Sequence, residues 1–255
     1  MTLLEENKRT LKKIKNRKYW IFFEKAINSF IKKYKKRYRE NTLKLIGNHI
    51  REIMESCTEV VTRQAEREGL DVAQVRKTVG GNYFQALIAY LLIQNLGDKF
   101  LVLINPKLEN IKELKSLIIN VGNEKSTPDS DIVVYNPNSS ESPIFLFSIK
   151  TSLRERIAQS VMWKLMVDMA STTCPHIKNI KDCPINKNKI SANIKRKVIY
   201  SFITLDLYNE ISQPQQRGHL RYFDKVFVCK KDFRKRNNLY PFIEIYDTII
   251  NLSSK

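Results

Sequence analysis

The sequence predicts an α/β protein, in which a mixed central sheet is flanked by helices and preceded by a basic helical region. Three observations predict this architecture. Apolar residues recur at helical spacing through much of the chain before residue 100. Short runs rich in Ile, Val and Phe follow from there onwards, and another stretch with helical spacing separates them into two groups. The predicted order is therefore helices, three strands, a helix and then further strands.

The first helices are predicted from the spacing of apolar residues among lysines and arginines. From Lys18 to Tyr34 the apolar residues recur every three or four positions, which is typical of an amphipathic helix. We expect its aromatic face to pack in the core, whereas its basic face is either solvated or in contact with phosphates. A second helical stretch runs from Leu43 to Glu68, and Gly69 suits the left-handed conformation at a helix end.

A later helix has an almost continuous apolar sequence. After the Gly80-Gly81 pair, Asn82 is a suitable N-cap for a helix that extends through Leu96 and stops at Gly97. A helix that is apolar on all sides is usually buried. We therefore expect this helix to pack centrally against a sheet.

The strands are predicted in two groups. The first group includes a hairpin, because the turn-forming sequence NPNSSESP between Asp131–Tyr135 and Ile144–Ile149 continues neither strand. A helix is predicted next, over Arg154–Ala170, from apolar residues at helical spacing. The remaining predicted strands are Phe100–Ile104 before the hairpin, and Val198–Leu205, Val226–Cys229 and Phe242–Ile249 after the helix.

The chain is strongly basic, and much of the charge lies at the N-terminus. Its 45 Lys and Arg residues outnumber its 26 Asp and Glu residues, which gives a formal net charge of +19. Residues 1–45 contain 15 of the basic residues and 4 of the acidic ones. Such a charge predicts an acidic partner, and we favour nucleic acid over an anionic membrane. Neither a membrane-spanning apolar run nor a secretory signal is apparent, so we expect a cytoplasmic protein.

Four polar residues are predicted to converge at one end of the hairpin. Residues two apart on a strand point to the same face, which groups Asp129 with Asp131 and Ser148 with Lys150. A simple hairpin then sets Asp131 opposite Ser148 and Asp129 opposite Lys150. Two carboxylates, a hydroxyl and an ammonium are therefore expected close together.

This combination of groups is suited to the hydrolysis of a phosphodiester. A divalent metal ion neutralises developing charge and generates hydroxide from water, and Mg²⁺ needs only one or two protein carboxylates. Lys150 would orient the attacking water or stabilise charge in the transition state. The alternative is structural, because PDSD is good turn chemistry and a lysine often marks where a strand reaches solvent. Both halves of the pattern lie at the same end of one strand pair, which favours the catalytic interpretation.

The motif resembles that of the PD-(D/E)XK nucleases. In that family a Pro-Asp pair precedes a strand that ends near a lysine, and the core has the order helix, three strands, helix, strand. The segment KTSLRER at residues 150–156 looks like the active-site and recognition segment of restriction endonucleases of the EcoRII, PspGI and NgoMIV kind, which cut sites containing CC and GG. The resemblance spans roughly residues 80–205 and is specific only over PDSD and SIKTSLRER. It implies a PD-(D/E)XK restriction-endonuclease-like nuclease domain at residues 79–255 after a basic helical N-terminal region at residues 1–78.

The resemblance also implies roles for individual residues. The catalytic Asp and Lys of the family correspond to Asp129 and Lys150, and Ser148 occupies the position two before the lysine. Asp131 is an alternative to Asp129 as a metal ligand, and both remain candidates.

The remaining acidic metal ligand departs from the family pattern. Relatives carry a glutamate thirteen or fourteen residues after the catalytic lysine, where this sequence has Trp163 and Lys164. Asp168 lies one helical turn beyond Lys164 and is the downstream candidate. Glu68 and Gln85 are the upstream alternatives.

The Arg154-Glu155-Arg156 triplet is predicted to read DNA bases. Arg bonds bidentately to guanine O6 and N7, and Glu accepts a hydrogen bond from cytosine N4, so the triplet suits neighbouring G and C in the major groove. The alternative is a solvated helix start with local ion pairs. Because two arginines are disfavoured at the positive end of a helix dipole, we favour base reading.

Together these features predict a type II restriction endonuclease that hydrolyses both strands of double-stranded DNA with Mg²⁺ at a palindromic site containing C and G. A palindrome implies two-fold symmetry, so we expect a homodimer or higher homo-oligomer, functionally paired with a cognate DNA methyltransferase. Two alternatives remain. One is a PD-(D/E)XK nuclease of repair, transposition or phage defence with relaxed specificity, and the other is a non-catalytic DNA-binding protein on the same fold.

Overall fold

Short strands and longer helices alternate in the second half of the chain, after a run of helices in the first. The computed structural model describes residues 2–34, 42–153, 156–172, 180 and 183–254. The described strands are β1 (Leu101–Ile104), β2 (Ile119–Val121), β3 (Glu124–Ser126), β4 (Ile132–Tyr135), β5 (Ile144–Lys150), β6 (Ile190–Ser191), β7 (Val198–Thr204), β8 (Lys225–Val228) and β9 (Leu239–Pro241).

The helices surround these strands in the chain. The described α-helices are α1 (Leu3–Lys15), α2 (Trp20–Tyr34), α3 (Thr42–Gly47), α4 (Ile50–Arg67), α5 (Val72–Thr78), α6 (Phe84–Leu96), α7 (Arg156–Ser171), α8 (Pro184–Lys187), α9 (Pro214–Leu220) and α10 (Ile245–Ser253). A π-helical turn at Val79–Tyr83, called the π-turn below, joins α5 to α6. Short 3-10 helices occur at Leu108–Asn110, Lys112–Leu117, Glu210–Ser212 and Phe242–Glu244.

Six strands form a mixed central sheet in the order β1-β4-β5-β7-β8-β9. β4 is antiparallel to β1 and β5, whereas β5, β7, β8 and β9 run parallel to one another. The predicted hairpin is confirmed in its register, since Ile132 lies opposite Phe147. Because β5, β7 and β8 are parallel, their carboxyl ends meet at one edge of the sheet, called the carboxyl edge below.

Helices cover both faces of the sheet, and two hydrophobic clusters fill the space between the layers. One cluster joins α6 to residues of α1, α2 and α4 and to one face of the strands. The other packs α7 and α9 against the opposite face. The prediction of a mixed sheet flanked by helices, with the apolar helix α6 against the sheet, is therefore confirmed. The division of the chain after residue 78 stays a prediction. Helices on both sides of that position contribute to the first cluster, so this hydrophobic core is continuous across the predicted boundary.

A buried asparagine attaches the first helix to the edge of the sheet. α1 begins with a capping box, in which the Thr2 hydroxyl accepts from Glu5 N and the Glu5 carboxylate accepts from Thr2 N. Further along this helix, the side-chain amide of Asn7 donates to the carbonyls of Gly97 and Phe100 at 3.0 and 2.8 Å. The Asn7 carbonyl oxygen accepts from Val102 N on β1 at 3.0 Å.

Three expectations about local structure are corrected. The segment Phe242–Ile249 is not a strand: it forms a 3-10 turn and the start of α10, because its apolar residues bury one helical face. Asn82 does not cap a helix, since the Gly80-Gly81 pair is accommodated inside a continuous helix by the π-turn. The stretch Leu43–Glu68 is two helices with a break at residues 48 and 49, although it does end at Gly69, whose φ of 68° is left-handed.

Some elements had no counterpart in the expectations from sequence. One is the small sheet β3-β2-β6, which packs on α7, whereas α1 was expected only as part of the basic helical region at residues 1–78. Across the described part of the chain, none of the helices is long and apolar enough to cross a membrane.

Candidate active site

The centre of the candidate site is an ion pair at the carboxyl edge. Lys150, the last residue of β5, places its Nζ atom 2.8 Å from Oδ2 of Asp131, which directly precedes β4. The backbone N–H of Ile149 donates to the same oxygen at 2.6 Å. The side chains of Lys150 and Asp131 are 15% and 9% exposed, so their charges interact with little screening.

The other oxygen of Asp131 is held from the helical layer. Gln85 on α6 donates from Nε2 to Asp131 Oδ1 at 2.6 Å, and Asn105 donates to Gln85 Oε1 at 3.3 Å. The backbone of Asn105 also donates to the Asp131 carbonyl at 2.9 Å. Residue 105 has a left-handed φ of 44°, which Asn tolerates better than most side chains. Gln85, expected as an upstream candidate for the metal site, therefore contacts the site.

Ser148 is placed on β5 as expected, but its hydroxyl has a different partner. The β4-β5 register extends to set Ser148 level with Asp131. Its Oγ atom lies 2.6 Å from Oγ of Ser160 on α7, and both hydroxyls are buried. Among the described contacts, none joins this hydroxyl to Asp131 or Lys150. Ser148 therefore attaches the helical layer to the strand that carries Lys150.

Asp129 lies beside the site in the loop that precedes β4. Its side chain is exposed, and its backbone carbonyl accepts a hydrogen bond from the Tyr200 hydroxyl at 2.6 Å. Burial raises the pKa of Tyr200, and the nearby negative charges of Asp129 and Asp131 raise it further. Of the two aspartates, Asp131 contacts Lys150 directly, whereas Asp129 is fixed through its backbone.

Two predicted metal ligands are not brought to this site. Asp168 pairs with Lys164 at 2.6 Å, and it lies two helical turns beyond Ser160, about 12 Å along the helix axis. Lys164 also approaches Asp224, which directly precedes β8 and so lies at the opposite end of the parallel strands from Lys150. Glu68 forms an ion pair with Lys18, whose Nζ atom lies 2.6 Å from Glu68 Oε2.

A cleft of about 630 Å³ opens beside Lys150. One wall is the segment that follows β5, and another is the π-turn, where Gly80 would bring an added Cβ within 4.0 Å of the Thr151 hydroxyl. Exposed Arg76 and Lys77 add positive charge to the rim. The lining residues are Thr58, Arg76, Lys77, Gly80, Gly81, Gln85, Ile149, Lys150, Thr151, Ser152, Leu207 and Tyr208.

The segment between β5 and α7 is held by a buried glutamate. The backbone N–H of Leu153 donates to Oε2 of Glu210 at 2.7 Å, and the Leu207 N–H donates to the Thr151 carbonyl at 3.3 Å. Glu210 is only 3% exposed. The predicted base-reading residues come immediately after this anchored segment. Arg154 and Glu155 lie outside the described residues, and Arg156 is described only as the first residue of α7.

The π-turn is held in place from the N-terminal helices. A π-helical turn leaves backbone groups without their usual helical partners. The guanidinium of half-buried Arg17 donates to the carbonyl of Asn82, and its centre lies 5.9 Å from the centre of the Tyr83 ring. The Tyr83 hydroxyl accepts from Tyr19 N at 2.9 Å. The segment between α1 and α2 therefore supports one wall of the cleft.

Comparison with known proteins assigns the chain to a family. The family model described as "BsaWI restriction endonuclease type 2" matches residues 107–251, more than half of the chain. The chain belongs to the BsaWI family of type II restriction endonucleases. Asp129, Asp131, Ser148, Lys150 and Glu210 all lie within the matched segment.

Two further comparisons give individual relatives. A protein of Methanocaldococcus jannaschii that is assigned by its name to the type II restriction enzymes, MjaVIP, is 28% identical over 231 residues, covering 82% of this chain and 95% of the relative. A solved structure of the restriction endonuclease PspGI with substrate DNA aligns with a TM-score of 0.47 at 14% identity, covering 92% of this chain and 93% of the other.

Membership of the BsaWI family makes the chain a restriction endonuclease, a class of enzymes that hydrolyse DNA. Several residues at its site were not identified from the sequence, namely Asn105, Ser160, Tyr200 and Glu210. Asn105 could have been identified from the sequence, because it is a polar residue that directly follows a predicted strand and so lies at the same edge of the sheet as Asp131. The others lie far from the motif in sequence, and only the packing of β7, α7 and the loop after β7 brings them near it.

The side chains at this site fit a divalent metal ion that keeps much of its water. No group of three or more His, Cys, Asp or Glu side chains is assembled anywhere in the described residues. Asp131 supplies one buried carboxylate, and Gln85 supplies a neutral oxygen close to it. Mg²⁺ takes oxygen ligands, retains waters and is completed by substrate phosphates, so one protein carboxylate is a workable minimum.

Proposed function

We propose that this BsaWI-family endonuclease hydrolyses both strands of double-stranded DNA, with Mg²⁺, at a short palindromic site containing C and G base pairs. The observation that carries the proposal is the 2.8 Å contact between Lys150 and Asp131 at the mouth of a cleft with a basic rim. A buried carboxylate next to an ammonium, at a sheet edge open to a polyanion, suits phosphodiester hydrolysis.

The catalytic work divides between two groups. Asp131 would hold the Mg²⁺ ion, which when bound would neutralise charge at the scissile phosphate and lower the pKa of a water molecule. Lys150 donates hydrogen bonds to the attacking water and to a non-bridging phosphate oxygen. Gln85 fixes the orientation of the Asp131 carboxylate by occupying Oδ1.

Asp129 and Ser148 have supporting roles in this proposal. Asp129 is the more exposed of the two carboxylates and would assist Asp131 in holding the ion. Ser148 acts as a positioning residue, because its bond to Ser160 fixes β5 against α7.

Sequence readout is assigned to Arg154, Glu155 and Arg156, which follow the anchored segment at Leu153. Replacing Arg154 by Ala should weaken binding to the cognate site by about 1–3 kcal/mol and leave binding to random DNA nearly unchanged. Equal losses on both DNAs, measured by fluorescence anisotropy with Ca²⁺ in place of Mg²⁺, would make Arg154 a phosphate contact.

A palindromic site is read most simply by a two-fold symmetric protein, so we propose a homodimer or larger homo-oligomer. An enzyme of this specificity also needs a methyltransferase that protects the host site. Light scattering coupled to gel filtration measures the oligomeric state. A mass corresponding to one chain under cleavage conditions would contradict the proposed homodimer.

The deciding experiment is the incubation of plasmid DNA with the protein and Mg²⁺. We expect discrete fragments whose sequenced ends share one palindromic site. A smear would instead indicate a nuclease of relaxed specificity, and intact plasmid despite DNA binding would indicate a non-catalytic DNA-binding protein. An EDTA reaction is the control, and cleavage in its presence would contradict the metal requirement.

A further inference from the structure

A second concavity at the carboxyl edge is lined by basic residues that play no part in the site above. This basic groove has a volume of about 380 Å³ and lies between the loop after β7 and the loop after β8. Its lining residues are Asp206, Asn209, Ile211, Ser212, Lys230, Lys231, Asp232, Phe233, Arg234, Lys235 and Arg236. Five of these residues are cationic and two are acidic.

Most of the positive charge in the basic groove is free of acidic partners. Lys231, Arg234, Lys235 and Arg236 are exposed, and no ion pair to any of the four is found within the described residues. The fifth cation, Lys230, is used internally, since its Nζ atom lies 2.7 Å from Asn209 Oδ1 and 3.9 Å from the buried carboxylate of Asp206. The groove therefore exposes four cations to solvent, while the contacts of Lys230 with Asn209 and Asp206 connect its two loops.

The loop that carries these cations has a defined shape. Asp232 and Asn237 adopt left-handed φ angles of 56° and 51°, and the backbones of Arg236 and Leu239 exchange two hydrogen bonds. The Lys235 ammonium lies 4.5 Å from the centre of the Tyr240 ring, and the Arg236 guanidinium lies 5.5 Å from that of Phe233. Such stacking holds the long side chains in place and lowers the entropic cost of binding an anion.

The basic groove lies at the same edge of the sheet as Lys150. The register aligns Lys150 with Thr204 and Thr204 with Val228, so β8 ends level with β5 and two strands away, about 10 Å across the sheet. That spacing is close to the width of the DNA major groove, about 12 Å. The loop after β7 also joins the two concavities, since Leu207 and Tyr208 line the cleft and Asp206 and Asn209 line the basic groove.

We propose that the basic groove binds the phosphodiester backbone of the same DNA duplex whose scissile bond occupies the cleft beside Lys150. Exposed cations with no acidic partner gain free energy by releasing the counterions of a polyanion. The binding is independent of base sequence, because it engages phosphates. This inference rests on the proposed function, since it assigns additional contacts to the same substrate.

The test compares two sets of alanine replacements that remove the same charge. The groove variant combines Lys231→Ala, Arg234→Ala and Lys235→Ala, all at exposed positions. The control combines Lys99→Ala, Lys112→Ala and Lys115→Ala, which are exposed in segments that pack near the Leu101–Tyr135 end of the sheet, opposite Lys150. Binding to a 30-base-pair duplex of arbitrary sequence is measured by fluorescence anisotropy with Ca²⁺ over a range of salt concentrations.

We expect the groove variant to lose at least about tenfold in affinity at low salt and to reduce the salt slope by about 1–3, at about 0.9 per phosphate contact. The control should change affinity less than threefold. Equal affinities for wild type and groove variant, or equal losses in both variants, would overturn the inference. Arg234→Glu, a single exposed change, keeps the test decisive if the triple variant fails to fold.

The plasmid assay separates this inference from the proposed function. If the wild type cleaves plasmid and the groove variant binds DNA as tightly as the wild type, only the basic groove is wrong. If the wild type leaves plasmid intact while the groove variant binds weakly, the groove stands and the proposed catalysis fails.

Discussion

The Nζ atom of Lys150 lies 2.8 Å from Oδ2 of Asp131, although the two residues are nineteen positions apart, one at the end of β5 and the other directly before β4. A charge-assisted contact of this kind in a largely buried setting is stronger than a surface ion pair. It also means that each residue sets the charge environment of the other. Replacing either one therefore perturbs both catalysis and folding, and the variants must separate the two effects.

Lys150→Gln should reduce cleavage about 10²–10⁴-fold, because the amide retains a hydrogen bond to Asp131 but carries no charge for the attacking water or the phosphate. DNA binding with Ca²⁺ should change little. Lys150→Ala leaves Asp131 without its cation, so we expect a further loss of stability. Single-turnover cleavage and thermal unfolding measure the two effects, with exposed Lys187→Ala as the matched control. Wild-type cleavage by Lys150→Gln would remove Lys150 from the mechanism.

Gln85→Glu should convert the neutral partner of Asp131 into a second carboxylate at a distance of 2.6 Å. Without metal, repulsion and the lost hydrogen bond should lower stability by about 1–3 kcal/mol, or roughly 2–12 °C in Tm. Added Mg²⁺ should restore the Tm by more than it raises that of wild type. Gln85→Ala is the control, because it loses the hydrogen bond without gaining a ligand. If Mg²⁺ shifts the Tm of all three proteins equally, the ion is held elsewhere.

Glu210→Ala should destabilise the protein by about 1.5–3 kcal/mol, because the buried N–H of Leu153 loses a charged acceptor. It should also reduce the preference for cognate over random DNA, since Leu153 directly precedes the predicted base-reading triplet. Glu210→Gln retains an acceptor and should largely preserve that preference. Competition binding measures the ratio, and Glu124→Ala, at an exposed position, is the control. An unchanged ratio in Glu210→Ala would limit Glu210 to a folding role.

Arg17→Ala should loosen the π-turn, because the carbonyl of Asn82 loses its cationic donor. We expect a loss of about 1–2 kcal/mol in the free energy of unfolding and faster amide hydrogen exchange at residues 79–83. Arg17→Lys should recover part of the protection. The exposed Arg9→Ala on α1 is the control. Unchanged exchange at the π-turn in Arg17→Ala would show that the N-terminal helices do not support the cleft.

The hairpin and its register were predictable from the sequence because local rules determine them. A turn-forming segment joins two apolar runs, and strand periodicity then fixes which residues face each other, so Ile132 and Phe147 pair as expected. Lys150 was predictable for the same reason, since it ends a strand. The final segment from Phe242 was not, because short apolar runs fit a strand or a helix equally well and tertiary packing decides between them.

The environment of Asp131 depends on contacts between distant segments. Gln85 is 46 positions away on α6, and although the sequence makes it a candidate, only the packing of α6 against the sheet shows that its amide bonds to Asp131. Asp168 pairs with Lys164 about two helical turns beyond Ser160, and its role as a metal ligand stays a prediction. The hydrogen bond between Ser148 and Ser160 fixes the position of α7 relative to β5. Each further turn of α7 carries a side chain about 5 Å along the helix axis from that contact.

The contacts of Asn7 help to protect the protein from self-association in concentrated solution. β1 is the outermost strand of the central sheet, and a strand in that position offers N–H and carbonyl groups with which another chain can form amyloid-like pairings. Asn7 accepts from the N–H of Val102 on β1 and donates to the carbonyls of Gly97 and Phe100 just before that strand, and α1 packs against β1. Removing the first helix would therefore expose this edge, and the shortened chain should be prone to self-association even where its catalytic residues are intact.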